Sequence, residues 1–242
     1  MILSPIGTFL HEFLALLPRL LPLFLLSWAL VLGLELFVGH RVRGHLRPHV
    51  LRVDEALRSW ALSQRFRVAG DPDSDRTGRT LFMRFWTNFA SAPSLIVLSL
   101  LLAVWAHASR QEHPHLFYFP GVCYLGSMAQ SYVSKRVVKR VRPHREAGAF
   151  GFKMKDGSFP SGHSLTSFCF WFPLLICVIF AGWGAGWVLL AGLWALVTVA
   201  FTGFSRVYMG VHFPSDVLGG FSMGLVWTLV CALTVLPTLR AA

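Results

Sequence analysis

Apolar and polar positions fall in long blocks along this chain. Six apolar runs stand out, at about Leu20–Val38, Phe89–Ala106, Leu116–Val133, Ser164–Phe180, Val188–Phe204 and Val217–Leu236. Runs of this length with few charges predict membrane-spanning helices, because backbone groups inside a bilayer must be bonded within the segment. The expected fold is therefore all-α and polytopic, with six transmembrane helices and both termini on one side. Residues 1–19 are only mildly apolar, with Glu12 and Arg19 as their acidic and basic residues. No basic n-region or small-residue cleavage site accompanies the first run, so it reads as an uncleaved span. Glu35, near the end of that run, is expected at the interface or facing protein.

The connectors carry their own patterns. Residues 39–85 are the longest polar segment and hold ten arginines. Within them, VDEALRSWAL places Val53, Ala56, Leu57 and Trp60 on one helical face and Arg52, Asp54, Glu55 and Arg58 largely elsewhere. This predicts an interfacial amphipathic helix between the first and second spans. GDPDSDRTG reads as a turn-rich surface loop, and residues 144–160, with Gly148, Gly151 and Gly157, as another. Gly182, Gly184 and Gly186 predict a tight turn between the interfacial anchors Trp183 and Trp187. Gly220 and Gly224 have the spacing of a close helix-packing face.

Composition sharpens this picture. Of the 242 residues, 55% are hydrophobic and 14% charged, against about 25% charged in a soluble domain. The length suits one membrane domain, 1–242. The formal net charge is +11. Because the basic residues flank apolar runs without interleaved aromatics, they point to lipid head groups or a phosphorylated substrate and not to nucleic acid. Cys123, Cys169, Cys177 and Cys231 lie in apolar stretches without metal-ligand spacing and are expected to be buried thiols. His107, His113 and His115 cluster in the connector HASRQEHPH. In a short polar connector with no thiol and Glu112 as its one acidic residue, they are not expected to bind metal.

Candidate chemistry concentrates in three places. Lys135, Arg142 and Pro143 read K-x6-R-P at the end of the third span. Pro160-Ser161-Gly162-His163 opens the fourth. Ser205–Asp216, SRVYMGVHFPSD, joins the fifth and sixth. Counting spans puts all three on one membrane face. Lys135, Arg142 and Arg206 suit phosphate oxygens and the charge of a phosphoryl-transfer transition state. At the helix start, backbone N–H groups and the Ser161 hydroxyl are expected to cradle an anion, with Gly162 permitting close approach. His212 is placed as the nucleophile, forming a phosphohistidine, with Asp216 four residues on to orient it. His163 is placed as the acid on the leaving oxygen and as the activator of water in the second step. The three cations and the helix start supply positive charge, so no metal or other cofactor is expected. Taken singly, Lys135 and Arg142 would be ordinary interfacial anchors, and PSG an ordinary helix cap.

K-x6-RP, PSGH and SR-x5-H-x3-D, in this order, resemble the three signature motifs of the type 2 phosphatidic acid phosphatase (PAP2) superfamily, without a departure. The resemblance covers about Lys135–Asp216 and extends through the six-span layout. It implies a single membrane phosphatase domain working without metal through a phosphohistidine. It assigns the nucleophile to His212, the acid to His163, the orienting carboxylate to Asp216, and phosphate binding to Lys135, Arg142, Ser161, Gly162 and Arg206. The expected partners are the bilayer and a membrane lipid phosphate, and the expected location is the cell (inner) membrane. By resemblance to small bacterial members, undecaprenyl diphosphate is the first expected substrate and phosphatidylglycerophosphate or phosphatidic acid the second. A lipid phosphotransferase using the same intermediate, or a lipid-binding or transport protein with an inactive site, are the alternatives. Oligomeric state is unspecified by the sequence. The basic residues divide nineteen to three in favour of the motif face, which by the positive-inside rule is cytoplasmic; family resemblance implies the outer side.

Overall fold

The structure is a computed structural model, and it describes residues 5–42, 47–65, 77–143 and 156–242. Their regular structure is helical, and no strand occurs among them. The helices are α1 (Pro5–Val42), α2 (Arg47–Arg65), α3 (Thr77–Phe89), α4 (Ala92–Ala108), α5 (Phe119–Val138), α6 (Gly162–Phe180), α7 (Ala185–Tyr208), α8 (Pro214–Thr234) and the short α9 (Leu236–Ala241). A 3-10 turn, Pro114–Tyr118, joins α4 to α5. Most of the loop expected at GDPDSDRTG, with Gly148 and Gly151 of the later loop and the Glu35 side chain, lies outside the described residues.

Among the described residues, four helices are long and apolar enough to cross a membrane: Ile6–Leu30 within α1, then α6, α7 and α8. The expected second span is broken. α3 and α4 meet at 52° and make a fifth crossing if counted together. The break falls at Ala90–Ser91, where Pro93 in the first turn of α4 cannot donate a helical hydrogen bond. α1 begins at Pro5, well before the expected start at Leu20, and runs through Pro18 and Pro22. α5 occupies the expected third span but is not among the helices apolar enough to cross. Its Ser127, Gln130, Ser131 and Ser134 are all buried, so the helix turns its polar positions into the protein.

α6 is the most enclosed span, with 56% of its apolar window buried, and it packs on α5, α7 and α8. Small residues allow these contacts. A Cβ on Gly126 would fall 2.1 Å from the Trp227 ring, whose indole N–H donates to the Cys123 carbonyl at 2.8 Å. A Cβ on Gly220 would fall 2.9 Å from the Ser161 carbonyl oxygen, and one on Gly224 2.9 Å from Phe168 Cβ. The glycine face of α8 thus brings the start of α6 against the start of α8. All four cysteines are buried, and none of them forms a disulfide.

α2 covers the stretch expected to form an amphipathic helix, and it buries charged positions while leaving its large apolar side chains exposed. Val53, Leu57 and Trp60 are exposed, while Asp54, Arg58, Ala61 and Arg65 are buried. The polar side of α2 lies against α7 and α8.

Candidate active site

Backbone bonds knit the three motif clusters together. The Ser158 N–H donates to the Arg140 carbonyl at 2.8 Å, and the Ser161 N–H donates to the Asp216 carbonyl at 3.0 Å. A Cβ on Gly157 would fall 2.7 Å from the Lys135 carbonyl oxygen, so the loop before PSGH lies directly on the end of α5. A pocket of about 410 Å3 opens there, lined by Lys135, Asp156, Gly162 and His163 and, farther along α5, by Tyr124 and Met128.

His212 sits in the turn between α7 and α8 and is 2% exposed. Its Nδ1 lies 3.5 Å from Asp216 Oδ2, an ion-pair distance at the limit of a hydrogen bond. Its Nε2 lies 3.2 Å from Arg142 Nη1. A guanidinium only donates, so Nε2 is the acceptor and the ring proton sits on Nδ1, facing the carboxylate. Burial pushes the imidazole down to about 4. Asp216 opposes that shift, while Arg206 and Arg142 add to it. At neutral pH the ring is therefore uncharged, with its Nε2 lone pair available. Asp216 is fully buried and held from two sides: Oδ2 accepts the Phe213 N–H at 2.9 Å, and Oδ1 accepts from Arg140 Nη1 at 2.6 Å.

Lys135 and Arg142 converge on one carboxylate. Lys135 Nζ is 2.7 Å from Asp156 Oδ2, and Arg142 Nη2 is 3.0 Å from Asp156 Oδ1. Burial raises the Asp156 carboxyl, but Lys135 and Arg142 outweigh it and hold the group below the usual carboxylate range. An anion thus already occupies the space between these two motif cations. Arg206 is buried, donates from Nη1 to Thr87 Oγ1 at 3.3 Å, and has no partner for its Nε among the described residues. His163, in the first turn of α6, stands within electrostatic reach of Arg206, His212, Lys135 and Arg142. Gly162 leaves room for this approach: a Cβ there would be 3.0 Å from Ser131 Oγ and 3.6 Å from Lys135 Nζ.

Ser161 departs from the expected anion cradle. It is fully buried, its N–H is spent on Asp216, and its hydroxyl accepts from Ser164 at 2.9 Å. It also makes no side-chain cap. Its contacts join α6 to α8.

Sequence reasoning missed a network behind the site. Asp54 of α2 accepts from Arg140 Nη2 at 2.6 Å and from the Ser215 N–H at 2.8 Å. The Ser215 hydroxyl also donates to Asp54. Arg140 therefore bridges Asp54 and Asp216, while its guanidinium lies 4.5 Å over the Phe213 ring. The available signal was Arg140 itself, two residues before Arg142. Asp54 carried none, since its partners are remote in sequence.

Comparison with known proteins gives the family and the fold. Residues 116–239 match the family model described as PAP2 superfamily. The chain is 27% identical over 146 residues to undecaprenyl-diphosphatase of Bacillus subtilis, covering 60% of this chain and 68% of that protein. It is 38% identical over 102 residues to phosphatidylglycerophosphatase B of the same organism, covering 39% and 45%. It is 31% identical over 168 residues to a lipid A 1-phosphatase of Rhizobium etli, covering 61% and 67%. A crystal structure of a transmembrane PAP2-type phosphatidylglycerolphosphate phosphatase from Bacillus subtilis superposes with a TM-score of 0.65 at 24% identity, covering 87% of this chain and 93% of that one. That likeness concerns the fold. Because the matched region contains all three motifs and more than half of the residues, the chain belongs to the PAP2 superfamily.

Proposed function

We propose that this chain, a membrane phosphatase of the PAP2 type, hydrolyses a lipid phosphate or diphosphate through a phosphohistidine on His212. The observation that carries the reading is the neutral His212 ring, with Nδ1–H toward Asp216 and Nε2 beside Arg142. Substrate phosphate exchanges with Asp156 on Lys135 and Arg142, and the open N–H of Arg206 takes a further oxygen. Nε2 attacks phosphorus and the P–O bond to the lipid breaks. His163 gives its proton to the departing oxygen. Asp216 stabilises the ring as it becomes cationic. In the second step His163 takes a proton from water, the water oxygen attacks phosphorus, and the P–N bond breaks to release inorganic phosphate. The positive charge comes from Lys135, Arg142 and Arg206.

The pocket, polar at one end and apolar toward Tyr124 and Met128, suits a lipid whose tail stays in the bilayer. Undecaprenyl diphosphate is the first choice of substrate, from the likeness to undecaprenyl-diphosphatase. Phosphatidylglycerophosphate or phosphatidic acid is second. On this reading the whole chain is one domain with six crossings in the cell membrane, α5 completing the set formed by α1, α3–α4, α6, α7 and α8. α2 lies in the interface with Val53, Leu57 and Trp60 toward lipid.

The test is single-turnover reaction with labelled lipid phosphates, quenched in base, which preserves phosphohistidine. Label should appear on His212 and be absent in His212→Ala, which should also release no phosphate. Normal turnover in that variant would remove His212 as nucleophile.

A further inference from the structure

At the end of α5 remote from Lys135, metal-ligating side chains from three elements meet. They are Glu12 of α1, His107 near the end of α4 and His115 of the 3-10 turn. α5 has 20 residues, which is about 30 Å of helix, so this cluster is separate from the motif pocket. Glu112, the carboxylate of the histidine connector, is exposed and stands outside this cluster. Folding supplies one from α1.

Glu12 Oε2 is bonded to His115 Nε2 and lies 3.8 Å from His107 Nδ1. The three candidate ligand atoms all lie within 4.8 Å of one another. His107 uses its other nitrogen, Nε2, on the Tyr118 hydroxyl at 2.7 Å. Such an outer bond fixes the ring orientation of a metal-binding histidine and leaves one nitrogen facing the site. Tyr118 is in turn packed edge-on by Phe9, with ring centroids 5.3 Å apart. The side chains of His107 and His115 are 5% and 12% exposed, and that of Glu12 is 34% exposed. The cluster is thus held by packed rings on the protein side and open to solvent at the carboxylate.

We propose that Glu12, His107 and His115 bind a divalent transition metal of the zinc class, with water in the remaining position. Two imidazoles and one carboxylate form a borderline donor set, suited to zinc or cobalt and poor for magnesium or calcium, which take oxygen ligands. Metal–ligand bonds of about 2.1 Å in a tetrahedron place ligand atoms about 3.4 Å apart. A small rotation of Glu12 away from His115 and toward His107 meets that spacing for the carboxylate, and the two ring nitrogens, within 4.8 Å of each other, have at most about 1.4 Å to close. The metal then takes the place of the proton between His115 Nε2 and Glu12, and His115 carries its ring proton on Nδ1. Binding ties the start of α1 to the α4–α5 connection and leaves the phosphoryl chemistry to the other end of the bundle.

The experiment uses full-length, untagged protein in lipid nanodiscs, stripped with chelator and titrated with Zn2+ or Co2+. One tight equivalent is expected, with a rise in Tm and the visible absorption of tetrahedral Co2+. Mg2+ should not compete. Tyr118→Phe should weaken binding about ten-fold by removing the outer bond. His115→Ala should abolish the equivalent, and His113→Ala, at an exposed position in the same connector, should keep it. If His115→Ala does not fold, Glu12→Gln tests the same ligand set with side-chain shape preserved. No saturable equivalent in the unaltered protein, or one that survives both His115→Ala and Glu12→Gln, overturns the site and leaves a Glu–His clamp.

Discussion

Asp54→Asn is the perturbation that asks whether the network behind His212 serves catalysis or only stability. The Asp54 side chain is 3% exposed and pairs with Arg140 at 2.6 Å. An amide of the same shape turns a donor toward the Arg140 fork or toward the Ser215 N–H. Removing one partner of a buried pair costs about 3–5 kcal/mol. Arg140 is 20% exposed and keeps Asp216, so about 2 kcal/mol of stability is the expected loss. The catalytic consequence runs through Asp216. Freed from Asp54, the Arg140 guanidinium can swing, and the carboxylate it holds at 2.6 Å loses one of its fixed positions. Losing the carboxylate of a triad lowers kcat about 10^4-fold; loosening it through an outer partner should cost about 10–100-fold, by analogy with outer-shell groups at metal sites. The upper value corresponds to about 2.7 kcal/mol of transition-state stabilisation. Because Asp54 touches no substrate, the loss should fall on kcat with KM little changed. Arg140→Lys should recover little, since one ammonium cannot span both carboxylates in the same geometry. Steady-state kinetics on a lipid phosphate, beside thermal unfolding, separate the two roles. A lowered Tm with kcat within two-fold of the parent would refute the positioning role.

Three further outcomes follow from the same geometry. Asp156→Asn should tighten competitive inhibition by phosphate or vanadate about five-fold, roughly 1 kcal/mol, because a half-exposed carboxylate no longer competes for Lys135 and Arg142; an unchanged or weaker inhibition constant argues against exchange at that position. The acid limb of kcat/KM, corrected for substrate ionisation, should fall near pH 4, because His212 is depressed to about 4 and stays neutral until the pH drops through that value; a limb at 6.5 would contradict a buried neutral ring. His163→Ala should slow an alkyl phosphate more than an aryl phosphate, since the more basic leaving oxygen depends more on an acid, and equal losses on both would reduce His163 to positioning phosphate.

Much of the site was legible because its chemistry is local in sequence. His212 and Asp216 share one turn, and Lys135 and Arg142 flank one helix end. The starts of α6 and α8 lie at PSGH and at the proline after Phe213, so the motifs also mark the helix boundaries. What escaped was non-local or inverted. Asp54 and Arg140 are 86 residues apart, and the amphipathic pattern of α2 distinguishes two faces without saying which one meets the protein. Val53, Leu57 and Trp60 are exposed, and the buried Asp54 and Arg58 build structure instead. The same inversion explains α5, whose serines and Gln130 weaken its reading as a span because they face the bundle. The surroundings of Ser161 were hidden for a related reason: PSG marks a helix start, but only the approach of α8, permitted by Gly220, shows that its N–H is taken by the Asp216 carbonyl. In this fold a polar residue interrupting an apolar run is a better guide to an inward contact than to a loop. Glu12, set in the mildly apolar stretch before the first expected span, follows that rule at the opposite end of the bundle, where it reaches His115.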